Sequence, residues 1–239
     1  MHVQEPATSR LMLLLGLGTT LLTTAAGSLH ADTPLTSAAA AGDVDEVEIF
    51  LSAGLNPDAP DGDGQTPLIW AAREGRLDTL ALLLRAGADP NRADHRHHWT
   101  PLMHAVRARQ TDAARLLMAA GADATAAAPD GLTPLLMAAA GDDTALVELL
   151  LAHGADPRAQ GPGGETALSQ AVSGGAFSDI DRPIFGACRP AVVRLLLARD
   201  PGLRLPKNFP GQMARWVARL SGCTEVLELI GEPAAGDVA

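Results

Sequence analysis

The triplet Thr-Pro-Leu stands at Thr33, Thr66, Thr100 and Thr133, and Thr-Ala-Leu follows at Thr166, so the motif recurs in steps of 33, 34, 33 and 33 residues. A period held that closely calls for a stack of like units, each too small to bury its apolar face alone. It also turns attention from pockets to surfaces. A stack of short units offers an extended face for binding more readily than an enclosed site for chemistry.

The second unit shows the local grammar. The Thr66 hydroxyl can cap a helix, and Pro67 takes the first helical position, where a missing N–H is harmless. Leu68, Ala71 and Ala72 then form an apolar stripe at helical spacing. Gly75 breaks the chain, and a second apolar helix is predicted over 77–84. Gly87 sits where a left-handed residue ends a helix. Ala88-Asp89-Pro90-Asn91 is turn-forming and leads into the next unit. The composition agrees: 47% of residues are hydrophobic but only 3% aromatic, and tyrosine is absent. Ala and Leu dominate, which suits thin, closely packed helices.

The first residues read as an export signal. Arg10 is the positive flank of a twelve-residue apolar run, 11–22, which includes Gly16 and Gly18, and a small-residue stretch, 23–31, follows. Twelve residues fall short of the roughly 20 that span a bilayer and match the core of a signal peptide. Cleavage is expected after Ala31, although Leu29 is an imperfect residue two positions before it. Cutting after Gly27, with Ala25 upstream, is the alternative. No cysteine near the junction offers a lipid anchor.

The repeated residues resemble the ankyrin repeat, whose mark is a Thr-Pro-Leu-His-x-Ala start, a helix-turn-helix and a Gly-Ala-Asp-x-Asn loop. The matches are Thr33-Pro34-Leu35 with Gly42 and Gly54, then Thr66-Pro67-Leu68-Ile69-Trp70-Ala71-Ala72 with Gly75. Thr100-Pro101-Leu102 leads to Gly121-Ala122-Asp123, Thr133-Pro134-Leu135 to Gly154-Ala155-Asp156, and Thr166-Ala167-Leu168 opens the fifth unit. The resemblance covers 33–231 and implies an all-α solenoid of helix-turn-helix units with short β-turn fingers. It departs from the family in two respects. The histidine after Leu is replaced by Thr36, Ile69, Met103, Leu136 and Ser169, so its hydrogen bond is expected to be lost. Arg109 and Asp142 replace the glycine between helices, so looser turns are expected there.

The domain reading is a signal peptide at 1–31, a repeat domain at 32–231 and a flexible tail at 232–239. Aligning Val192 to Leu196 with Leu146 to Leu150 leaves about thirteen extra residues in the fifth unit, within 176–191. A terminal cap, 212–231, follows, with one helix over 213–220 and another over 224–230. The end of a solenoid should be polar, and Arg215, Arg219, Glu225 and Glu228 are expected to make it so. The alignment puts Cys188 and Cys223 in neighbouring columns of adjacent units. A disulfide between them is expected in an oxidising compartment, with two buried thiols as the alternative.

By the resemblance, a partner is met by the finger tips and the exposed ends of the first helices. Those positions are Asp63, Gln65, Arg73, Glu74, Arg96, His97, Trp99, Arg107, Asp130 and Leu132, with Glu165 ending the line. Trp70, His104, Met137 and Gln170 form a neighbouring column expected to be half-buried. The segment Asp94-His95-Arg96-His97-His98-Trp99 breaks the finger pattern, with His98 where others have Gly64 and Gly131. Clustered histidines can hold zinc or copper, but side chains on one turn rarely converge and no Cys or Glu complements these. The finger is read as a partner contact anchored by Trp99, with metal binding the alternative.

Enzyme signatures are missing. Gly161-Pro162-Gly163-Gly164 lacks the Lys-Ser/Thr of a phosphate loop, and no nucleophile elbow or His-Glu-x-x-His appears. Asp179 and Asp181, on one loop beside Arg182, make a weak carboxylate pair. A net charge of −10 speaks against nucleic acid and favours a neutral or basic protein partner. The expectation is a monomeric, cofactor-free, non-catalytic binding protein of the bacterial periplasm or exterior, with no stable membrane insertion once the signal is removed. Its expected role is that of an adaptor or inhibitor, with a metal-binding or stress-protective protein built on the His95–His98 finger as the alternative.

Overall fold

The computed structural model describes residues 33–173 and 190–231. The chain divides at Ala31–Asp32 into two units, and every described residue belongs to the second. The expected signal, most of the insertion with Cys188, and the tail lie outside the described residues.

Twelve helices follow among the described residues. In chain order they are α1 (Pro34–Ala41), α2 (Val44–Ser52), α3 (Pro67–Arg73), α4 (Leu77–Arg85), α5 (Pro101–Arg107), α6 (Thr111–Ala119), α7 (Pro134–Gly141), α8 (Thr144–Ala152), α9 (Ala167–Ser173), α10 (Pro190–Arg199), α11 (Phe209–Leu220) and α12 (Thr224–Leu229). First helices pack in one row, α1 on α3 and so on to α11, and second helices pack in a parallel row from α2 to α12. The molecule is an all-α repeat solenoid. Extended pairing among the described residues amounts to one isolated antiparallel bridge, Gln160 to Thr166.

The threonines cause the period. Thr33, Thr66, Thr100 and Thr133 each sit in extended backbone at an N-cap, where the hydroxyl accepts the N–H three residues on. Thr166 makes the same bond to Ser169 N–H at 3.3 Å. Two and five residues after each threonine stand a leucine and an alanine, both buried. The leucines are Leu35, Leu68, Leu102, Leu135 and Leu168, and the alanines Ala38, Ala71, Ala105, Ala138 and Ala171. Small residues between successive first helices let the row close up.

Three expectations need correction. The column that lost the family histidine keeps hydrogen bonds at both ends of the array: Thr36 Oγ1 donates to Thr33 O at 2.8 Å, and Ser169 Oγ to Thr166 O at 2.9 Å. Only Ile69, Met103 and Leu136, in the middle, are apolar there. The turns at Arg109 and Asp142 are no looser than the glycine turns. Both residues adopt the left-handed conformation (φ 59° and 60°) that Gly75 takes at 66°, because the chain path is set by packing on either side. Arg109 also donates to Gly141 O in the next unit.

The third correction concerns the cap. Its first helix begins at Phe209, capped by the Asn208 side chain, which accepts from Gly211 N–H at 3.2 Å. The expected start was Met213. Its outer surface is mixed: Arg219, Glu225 and Glu228 are exposed as expected, but so are Phe209 (67%), Trp216 (48%) and Leu220 (64%). Arg215 folds back to donate to Leu205 O and Pro206 O at 3.1 and 3.3 Å, and Glu225 pairs with Arg194 on α10.

Candidate partner-binding surface

Between units the chain makes a hairpin-like finger that leads to the next capping threonine. Three fingers close over five residues, with Asp61 N–H donating to Gln65 O (3.0 Å), Ala128 N–H to Leu132 O (2.9 Å) and Gly161 N–H to Glu165 O (2.8 Å). The finger between the second and third units spans six, with Asp94 N–H donating to Trp99 O at 3.0 Å. That extra residue is why one step of the repeat is 34. The residue before the closing one is left-handed each time: Gly64, His98, Gly131 and Gly164. His98 alone of these has a side chain.

Two fingers are pinned to the helix they precede. Asp61 is buried; its Oδ1 accepts from Asp63 and Gln65 N–H, at 3.0 and 2.8 Å, and its Oδ2 accepts from the Trp70 indole at 2.8 Å. One unit on, Asp94 Oδ1 accepts from His97 N–H at 2.7 Å, and Oδ2 meets His104 Nε2 at 2.7 Å. Burial alone would raise the Asp94 pKa, but hydrogen bonds from His104 and the His97 N–H, with the charge of His104, outweigh it and hold the carboxyl at about 2. In the fourth and fifth units Ala128 and Gly161 stand at the finger position, with Met137 and Gln170 nine residues on, so these fingers lack this carboxylate.

The pinned pair presents aromatic and cationic groups together. Trp99, half-buried, lies 5.1 Å from the His97 ring and meets His104 edge-on at 5.6 Å. The Arg73 guanidinium lies over the Trp70 ring at 4.3 Å, and its Nε is 3.1 Å from Glu74 Oε1. Arg96, His97, Glu74 and Arg107 are exposed, Asp63 half-buried. Successive fingers are tied by His95 N–H donating to Asp63 O at 3.2 Å, and the His95 ring lies where a side chain at Gly64 would go.

Other expected contacts sit differently. Gln65 is buried, closing its finger, and Leu132 packs against the core. Asp130 is exposed while its Oδ1 accepts from Leu132 N–H at 3.0 Å. His104 and Gln170 are buried where half-burial was expected. Cys223 is buried at the start of α12, and its expected partner Cys188 lies outside the described residues. Among the described residues no three His, Cys, Asp or Glu side chains converge as a metal ligand set.

The pinning carboxylates were not singled out in the sequence. Their signal is an aspartate opening a finger, followed nine or ten residues later by a ring N–H donor at the fourth position of the helix.

No described helix is long and apolar enough to cross a membrane. Comparison with curated proteins gives no match. A family model described as ankyrin repeats (3 copies) matches residues 9–94 and 102–204. Such repeats are generally protein–protein interaction modules, typically without enzymatic activity. With the capped helix pairs, the left-handed turns and the finger hairpins in place, the chain belongs to the ankyrin-repeat family.

Proposed function

We propose that this protein is exported to the bacterial periplasm and captures a protein partner there, as an adaptor or inhibitor, through the fingers 61–65 and 94–99 and the helix ends that carry Arg73 and Arg107. The observation that carries the reading is the buried Asp94–His104 bond beneath Trp99. A finger fixed before binding loses little freedom on association, and tryptophan and arginine are the side chains on which binding energy concentrates. The net charge of −10 suits a basic partner, whose association should slow as salt rises.

The test is affinity capture from periplasmic extract with the wild-type chain, Trp99→Ala and Arg107→Ala as baits. A protein retained by the wild type and lost by both variants supports the reading; equal retention by all three overturns it. A salt-independent on-rate would remove the electrostatic part. Cell fractionation tests export separately. Export would also place Cys188 and Cys223 in an oxidising compartment, where a disulfide between them is proposed. Alkylation and mass spectrometry without reductant check it, and two labelled thiols in exported protein would refute the bond.

A further inference from the structure

The finger surface carries a charge opposite to that of the chain. Its carboxylates turn inward. Asp61 and Asp94 are buried, their oxygens taken up by finger N–H groups and by the rings of Trp70 and His104. Asp130 Oδ1 accepts from Leu132 N–H at 3.0 Å, and Glu165 Oε2 from Gly163 N–H at 2.7 Å. Glu74 is drawn to the Arg73 guanidinium. The cations stay outside. His95, Arg96, His97 and His98 are all exposed on one finger, as are Arg107 at the end of α5 and Arg109 in the turn behind it. Trp99, half-buried and in ring contact with His97 and His104, supplies an apolar floor among them.

This cationic surface is bounded. On one side Asp63 is half-buried against the finger, with His95 N–H donating to its carbonyl. On the other side Asp130 and Asp142 are exposed, and Asp142 takes the turn position that Arg109 holds one unit earlier. Between these bounds Arg73 and Arg107 end neighbouring first helices, which pack about 8–10 Å apart. Side chains on one face of an extended chain recur about every 7 Å, so a single segment can reach both. The net charge of −10 does not decide what seats here, because charges are screened over about 8 Å at physiological salt. Even a partner that is basic as a whole would have to bring an acidic stretch to this place.

We propose that the surface formed by the finger 94–99, Arg73 and Arg107 takes an acidic segment of its protein partner, with carboxylates meeting Arg96 and Arg107 beside Trp99. The proposal rests on the reading of these fingers as the contact surface and adds the sign of the charge they select.

A phage-displayed library of random dodecapeptides is selected on the immobilised full chain and, in parallel, on Trp99→Ala and on Arg96→Glu combined with Arg107→Glu. Peptides enriched on wild type and lost on Trp99→Ala should carry an excess of Asp and Glu. By fluorescence anisotropy they should bind the charge-reversed variant about tenfold or more weakly than wild type. Trp99-dependent peptides that are neutral or basic overturn the acidic assignment and leave the contact surface standing. If no enriched peptide depends on Trp99 or on the two arginines, both readings fall. An oligonucleotide that displaces the acidic peptides as effectively as they displace one another would assign the surface to phosphate and overturn the proposal as well.

Discussion

Asp94 and His104 stand ten residues apart and meet at 2.7 Å through Oδ2 and Nε2, with the aspartate side chain fully buried and the histidine's 7% exposed. The bond joins the base of a finger to the helix behind it. Asp61 and Trp70 make the corresponding join one unit earlier, so the two fingers that carry the proposed contacts are the two with a buried carboxylate.

Removing one member of the pair should cost more than removing both. Asp94→Ala strands a buried imidazole and should lower stability by about 3 kcal/mol. Asp94→Ala with His104→Met reproduces the Ala128 and Met137 of the fourth unit and should recover at least half of that loss. Urea unfolding of the two variants beside wild type checks the order, which reverses if the pair contributes nothing.

Acid should remove what the pair contributes. The Asp94 carboxyl lies near 2 in the folded chain against an ordinary 3.8, so its lowered pKa favours the fold above pH 4 and ceases to do so as pH falls toward 2. The contribution is about 2 kcal/mol. The stability gap between wild type and Asp94→Asn should therefore narrow over that interval, and a gap constant with pH would refute the assignment.

Asp142 holds a left-handed conformation that glycine adopts without cost. Asp142→Gly should stabilise by about 0.5–1 kcal/mol. Arg109→Gly relieves the same strain but also loses the bond to Gly141 O. Thermal melts of the single variants decide it; a lower melting temperature for Asp142→Gly would mean its side chain outweighs the strain.

Ala105 lies with no exposed surface between neighbouring first helices, whereas Met213 is half-buried on the last helix of that row. Ala105→Met should cost about 2–3 kcal/mol through overpacking, and Met213→Ala under about 1 kcal/mol. Equal losses on chemical denaturation would show that the two positions are not packed differently.

The repeating part of this architecture is legible in sequence because each step of it has one local cause. A threonine hydroxyl caps, a proline starts, an alanine permits close approach, and all three recur in register. What escaped reading depended on distance. Nothing local marks Asp94 as the partner of His104, because the six-residue finger shifts their spacing from that of Asp61 and Trp70. The left-handed turns at Arg109 and Asp142 are imposed by the helices on either side, against the preference of the residues themselves. The cap was legible in part: Arg219, Glu225 and Glu228 lie exposed as expected, but Arg215 turns back to the Leu205 and Pro206 carbonyls, a contact that nothing local announces.

The alanine column carries a consequence for how such a chain can change length. A 33-residue unit inserted between two internal threonines meets alanine on both sides and leaves every neighbour as it was. The same unit appended after Gly231 would have to lie on Met213, Phe209 and Trp216. The array can therefore lengthen or shorten from within without disturbing α11, which closes the described row of first helices with Phe209, Trp216 and Leu220 exposed.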